Sequence, residues 1–517
     1  MKLLFLCLVV GVLSCCEAYK ILVVYPMPGK SHSILGDGIV RYLLKDGHEV
    51  TYVSPFSYKP ASPKLRLVDV SDNKKLLPED LINIETIMNQ KLNLGGHGLF
   101  MYVLAQMVQT TIENENVQKI LNDPNESFDV VIAEWMFISH ICYYRLLAAV
   151  YNCPFIWVSS ADVHWAILKL IDQPSNPAFS GDYIDSNVPP FSFGTRILEL
   201  YTQLKVYFDG MEKRTYERLL GPIVAKRGRT LPNYYDVQYN ASLVLANSHV
   251  SMGQAIALPQ NYIPIGGYHI NDRIETLPDD LKKILDTAKN GVIYFSMGSN
   301  LKSKDIPKEI KESLLKMFSE LKQTVLWKFE EDLPNKPSNV HILKWAPQPS
   351  ILSHPNTILF ITHGGLLSTT ETVHFGVPII GIPVFADQFT NVDRAVKRGF
   401  ALRVDLSYTM ADELKLAIKE ITTNPKYTKT VKELEFIYHN RPVAPGVELV
   451  HWVKHVIETR GAAHLRSPAL DLPLYQRLYL DLVALILVIT PIIIKISKLL
   501  LCKYCAKSGK NSVKKNN

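Results

Sequence analysis

Two series of short, almost unbroken apolar runs constrain this chain more than any other feature. In the first half they are KILVVYP from Lys20, HEVTYVSP from His48, FDVVIAEW from Phe128, PFIWVSS from Pro154 and SLVLANS from Ser242. A strand with one wet face alternates apolar and polar residues. A strand that is apolar throughout is buried on both faces, as in a parallel sheet covered by helices. After YIPIGGYHIND comes a Pro- and Asp-bearing link, TLPDD, and the series restarts with GVIYFSMGS, TVLWKF, NVHILKW, TILFITHGG, VPIIGIPVF and FALRVD. Between runs lie amphipathic stretches such as PKEIKESLLKMFSELKQ, which sets Ile310, Leu314, Met317, Phe318 and Leu321 on one face. Two β-α-β series predict two doubly wound α/β domains facing each other across a cleft, over 19–270 and 286–475 with a linker at 271–285. The second range includes a return segment. Segments 85–125 and 160–235 are less regular and aromatic-rich, and read as insertions in the first domain, where a substrate would be selected. At 517 residues the chain exceeds a single ordinary core.

Both ends are apolar for other reasons. MKLLFLCLVVGVLSCCEA has a lysine, an apolar stretch and small residues before Tyr19, which is a signal peptide over 1–18. Leu478 to Leu501 is long enough to span a bilayer, and the lysine-rich 502–517 beyond it stays cytosolic. The expected topology is single-pass type I: catalytic body in a lumen, one span, a cytosolic tail. The terminal KKNN resembles the dilysine signal that returns membrane proteins to the endoplasmic reticulum. The formal charge of +7 equals the seven lysines from Lys495 onward, so the body is near neutral and no nucleic-acid partner is expected. Cys142 and Cys153 form one lumenal disulfide or stay free. CKYC, at Cys502 and Cys505, lacks the second ligand pair that zinc requires. The sequons at Asn125 and Asn240 are usable in a lumen.

A doubly wound sheet binds ligands beyond the carboxyl ends of its strands. A nicotinamide site is excluded there, because Gly36-Asp37-Gly38 follows the first strand too late and Arg41 stands where a third glycine belongs. The second half is more informative. In FITHGGLLSTTE the strand ends at His363, Gly364 and Gly365 permit a tight turn, and Ser368 opens a helix. Bare amides and the helix dipole there favour an anion. FSMGSN supplies a second turn, with Gly298 and Ser299, and the two loops can grip a diphosphate from both sides. Trp345 can stack on a base, Glu371 suits a ribose diol, Gln348 lies beside Trp345, and Asp387-Gln388 offers acceptors and a donor to sugar hydroxyls. Together these groups fit a nucleotide sugar.

From Trp345 to Gln388 the spacing W-x-x-Q, H-G-G-x-x-S-x-x-E, D-Q resembles the signature of the family 1 UDP-glycosyltransferases, and the likeness extends over nearly the whole chain. It implies two Rossmann-like domains of the GT-B type plus a C-terminal transmembrane helix. It also implies transfer of a hexose from a UDP-sugar to a hydroxyl of a small lipophilic acceptor, in detoxification or endogenous conjugation. The layout resembles the animal microsomal members, and HGGLLS the arthropod ones, in which Leu367 replaces a common asparagine. UDP-glucose is then the expected donor, with UDP-glucuronate as the alternative. A membrane-lipid glycosyltransferase and a catalytically silent binding subunit remain open, as does a homo- or hetero-oligomer in the membrane.

His32, after the first strand, matches the family's catalytic histidine, and Glu134 falls where the family has an aspartate. The resemblance implies that Glu134 orients His32, which deprotonates the acceptor, while His363, Ser368 and Ser299 steady the departing diphosphate. No Asp-x-Asp occurs, so neither metal nor cofactor is expected.

Overall fold

The computed structural model describes residues 18–77, 83–88, 97–135, 142–171, 176–181, 189–208, 211–234, 237, 241–253 and 255–513. Residues 1–17 of the signal peptide, Asn240, KKNN and the side chains of Cys142 and Cys505 lie outside the described residues.

Thirteen strands are described: β1 (Lys20–Val24), β2 (Glu49–Ser54), β3 (Leu65–Asp69), β4 (Val130–Trp135), β5 (Phe155–Ser159), β6 (Leu243–Ala246), β7 (Tyr262–Pro264), β8 (Val292–Ser296), β9 (Thr324–Lys328), β10 (Val340–Leu343), β11 (Thr357–Thr362), β12 (Ile379–Gly381) and β13 (Ala401–Arg403). They form two parallel sheets, ordered β3-β2-β1-β4-β5-β6-β7 and β10-β9-β8-β11-β12-β13. The α/β class and two-sheet architecture expected from the apolar runs are those observed.

Period-2 geometry explains why the strands must be apolar throughout. In the first sheet Leu22, Val24, Val131, Ala133, Trp157 and Val244 enter one core. Their neighbours Ile21, Val23, Val130, Ile132, Ile156 and Leu243 enter the core on the opposite face. The second sheet divides likewise, with Phe295, Trp327 and Ile361 on one side and Tyr294, Leu326 and Phe360 on the other. Gly36 and Gly38 lie inside helix Lys30–Lys45 and serve packing: a Cβ on Gly36 would meet the Tyr52 hydroxyl at 2.3 Å.

Two segments cross between the halves. Helix Ile84–Met88, which runs into the range 85–125 read as a first-domain insertion, buries Ile84 completely in the core of the second sheet. Helix Pro445–Glu458 returns to the first domain and adds Leu449, Val453 and Val456, spaced i, i+4, i+7, to the core above β1 and β4. Gly446 permits that approach, since a Cβ there would stand 2.0 Å from the Tyr42 ring.

Helix Leu480–Val513 begins with a span, Leu480–Tyr504, long and apolar enough to cross a membrane and with none of its window buried. Asn125 is exposed in a turn. Cys153 is a free, half-buried thiol, and burial pushes it up to about 12.

Candidate active site

In each sheet the chain reverses its winding at one place, between β1 and β4 in the first and between β8 and β11 in the second. These switch points open a crevice at the strands' carboxyl ends, and the sequence-predicted residues gather there.

At the first, Gly29 opens helix Lys30–Lys45 and His32 occupies its first turn, while Glu134 stands near the end of β4. His32 Nδ1 bonds Glu134 Oε1, which also accepts from the Ser160 hydroxyl just past β5. Glu134 is fully buried and His32 is 20% exposed. With Nδ1 carrying its hydrogen to the carboxylate, the lone pair resides on Nε2. Burial alone pushes the imidazole down; Glu134 and then Asp387 pull it above its ordinary 6.5. Asp387 belongs to the second domain, so its field reaches His32 across the cleft. Gly29 also faces Asn300 of the β8 loop, 3.5 Å from where a Cβ would be.

At the second switch point the His363 ring is held between two loops. A Cβ on Gly298 would lie 2.5 Å from its Cε1, and one on Gly365 2.6 Å from its Nε2. Gly298 (φ 85°) and Gly364 (φ 82°) occupy the left-handed region, which glycine adopts at little cost. Helix Leu366–Phe375 starts at Gly365 with no side-chain cap, so its first amides stay available to an anion. Burial, helped by Lys328, lowers His363 to about 4, so it is a neutral hydrogen-bond donor. Ser299 lies in the turn after Gly298.

Beside this cradle Gln348, Ser368 and Glu371 form one network. Gln348 Nε2 donates to Ser368 Oγ at 3.1 Å and to Glu371 Oε2 at 2.6 Å, and the Tyr294 hydroxyl donates to Gln348 Oε1 at 3.3 Å. Ser368 therefore keeps its own O–H to give. Trp345, three residues before Gln348 in the chain, is 61% exposed and offers a face to a planar base. Asp387 follows Ala386, whose φ of 54° is strained for a residue with a Cβ. Burial raises the Asp387 carboxyl against the pull of Asn391 and His32. Gln388 is tied inward: its Oε1 accepts the amides of Val384 at 2.9 Å and Phe385 at 3.1 Å, which leaves only its amide hydrogens for a ligand.

Four participants were missed in the sequence. Asn391 Nδ2 ties Asp387 Oδ2 (2.8 Å) to the Gly364 carbonyl (3.1 Å). Lys328 Nζ lies buried beneath the β8 loop, 2.9 Å from the Gly298 carbonyl and 2.6 Å from Glu330. Ser160 shares the Glu134 carboxylate. His269, buried at the end of the first domain, puts Nε2 3.4 Å from Glu371 Oε1. Lys328 and Ser160 carried a legible signal, since the first ends a strand and the second directly follows one. Leu367 also finds its role: it packs against the first domain's core and makes an apolar contact across the cleft.

Paired sheets of this kind are those of solved glycosyltransferases. The chain is similar to the glycosyltransferase of kitacinnamycin, at 17% identity and a TM-score of 0.55 covering 85% of this chain and 99% of that one. It is similar in the same way to glycosyltransferase VinC in complex with DTDP, at 15% identity and a TM-score of 0.55 covering 85% and 100%. At such identities the likeness is one of fold, and the fold is the two-domain glycosyltransferase type.

Sequence narrows the class. The family model described as "UDP-glucoronosyl and UDP-glucosyl transferase" matches residues 20–516, and the chain belongs to that family. It is 30% identical to UDP-glucosyltransferase 2 of Dactylopius coccus, over all of this chain and 99% of that protein. Over 91% of this chain and 89% of the relative it is 32% identical to UDP-glycosyltransferase UGT5 of the same organism. UDP-glucuronosyltransferase 2B15 of Homo sapiens is 27% identical over 93% of each.

Proposed function

We propose that this UDP-glycosyltransferase moves glucose from UDP-glucose onto a hydroxyl of a small lipophilic acceptor, inverting the anomeric centre, with residues 19–270 receiving the acceptor and 286–475 the donor. The observation that carries this reading is the buried Glu134–His32 pair, whose free Nε2 faces a cleft shared with Asp387. His32 Nε2 takes the acceptor's proton as the acceptor oxygen bonds to the anomeric carbon. The bond from that carbon to the diphosphate breaks, and UDP leaves with the electron pair. Glu134 steadies the imidazolium that forms. Leaving-group charge is met by His363, Ser368, Ser299 and the uncapped amides of helix Leu366–Phe375. Trp345 stacks on uracil, Glu371 binds the ribose with Gln348 fixing its carboxylate, and Asp387 with the Gln388 amide reads the sugar.

The chain is membrane-anchored in this reading, through Leu480–Tyr504, with its body lumenal in the endoplasmic reticulum and its lysine-rich tail cytosolic. The exposed sequon at Asn125 and the terminal KKNN support that orientation. The test is an assay of microsomes holding the full chain, with UDP-glucose, UDP-glucuronate and UDP-galactose each offered to a panel of phenols. Transfer from UDP-glucose above the other two is expected. Preference for UDP-glucuronate would overturn the sugar assignment, and no transfer by folded protein would overturn the enzymatic reading.

A further inference from the structure

Helix Phe193–Phe208 is built inside out. Glu199, on its inner side, is fully buried, and Gln203 donates from Nε2 to the Ser180 carbonyl at 3.0 Å. The outer side carries Phe193 (72% exposed), Ile197 (53%), Leu200 (47%), Tyr201 (63%) and Leu204 (46%). At about 100° per residue these five fall within a stripe roughly 100° wide, and Leu198 (50% exposed) widens the exposed apolar surface beyond its edge, past Lys205. A water-facing helix has the opposite arrangement, and a contiguous apolar stripe of this size marks a contact surface.

The charges beside the stripe select the contact. Arg196 and Lys205 are exposed and basic, and the helix's one described acid, Glu199, is turned inward. An apolar stripe with basic flanks and no outward acid is the pattern of a helix lying in a membrane interface, where long cationic side chains reach the headgroups. The covalent structure supplies the bilayer. The folded body ends at Leu465 and the apolar span starts at Leu480. The 14 residues from Arg466 to Tyr479 reach at most about 50 Å when fully extended, so the body stays near any membrane that the span crosses.

We propose that helix Phe193–Phe208 lies in the headgroup–acyl boundary of the bilayer spanned by Leu480–Tyr504, giving the catalytic body its own contact with the lipid. This rests on the anchored reading above. It also sets the insertion read as acceptor-selecting against the phase in which lipophilic acceptors dissolve.

The experiment places p-benzoylphenylalanine, in separate full-length proteins, at Leu200, at Leu487 in the span and at the exposed Glu312. Each is reconstituted at low density in phosphatidylcholine vesicles, irradiated and analysed by mass, with retention on immobilised UDP as the check of folding. The expected result is lipid adducts at 200 and 487, with a yield at 200 several-fold above that at 312. Adducts at 487 with none at 200 would overturn the proposal and spare the anchor. Cross-linking from 200 to a second copy would overturn it in favour of a protein interface. Silence at 487 would sink the anchored reading, and this one with it.

Discussion

Replacing Glu134 with glutamine isolates the electrostatic role of the buried carboxylate. The amide has nearly the same shape and can still accept from His32 Nδ1 and the Ser160 hydroxyl, so the pocket stays filled. What disappears is a full negative charge beside an imidazole that becomes positive as the acceptor loses its proton. For unit charges about 4 Å apart at an effective dielectric near 20, that interaction is about 4 kcal/mol, or about a thousandfold in rate at 1.4 kcal/mol per decade. The pH profile gives a second reading. His32 must be neutral to accept a proton, so activity is lost as pH falls through its pKa. With Glu134 present that pKa is raised, which puts the acid limb of kcat/KM above 6.5. Without the charge, burial pushes the imidazole down against the weaker pull of Asp387 alone, and the limb must move toward acid. The assay is kcat/KM for transfer from UDP-glucose to a phenol between about pH 5 and 9, beside UDP affinity, which should not change if UDP binds the other domain as proposed. Activity within threefold of the parent, or a limb that moves toward alkali, would refute the Glu134–His32 coupling.

The other predictions follow the same geometry. His32→Ala should lower transfer by about 10²–10⁴-fold and leave UDP binding intact in a calorimetric titration; loss of both would remove His32 from the base role. Gly298→Ala puts a methyl 2.5 Å from the His363 ring at a φ of 85°, so UDP-glucose affinity should fall by roughly 5- to 150-fold, the equivalent of about 1–3 kcal/mol. Because His363 is held at about 4, it is neutral throughout the working range, and UDP-glucose Kd should be flat between about pH 5.5 and 8; tightening toward acid would show that the site takes up a proton. Gly446→Ala drives a methyl into the Tyr42 ring and should cost about 1–3 kcal/mol, read as a Tm lower by a few degrees with UDP affinity preserved.

The central strands were legible because burial on both faces leaves no choice but continuous apolar sequence, and all six strands of the second sheet coincide with runs read from the sequence. The two missed strands are the edges of the first sheet. β3 is mostly exposed and β7 has three residues, so neither needs that signature. The glycines around His363, the uncapped helix and the Glu371 carboxylate were also legible, because the glycines and the helix start lie within a few residues of a strand end and Glu371 follows in the same helix.

Contacts between elements distant in sequence were not. Asn391 joins the HGG loop to Asp387, and Lys328 supports the β8 loop from a neighbouring strand. His269 meets Glu371 across about a hundred residues. Leu367 is uninformative as a donor ligand, and only the folded chain shows that it contacts the opposite domain. The inverted face of helix Phe193–Phe208 is a similar case: its sequence announces an apolar stripe, but whether a stripe faces a core or the outside depends on what surrounds it. Sequence periodicity therefore determined the sheets, the strand-end motifs and the apolar span of this protein. Tertiary packing decided which charges and apolar faces meet, because fields and contacts act over ångströms in space however far apart the residues stand along the chain.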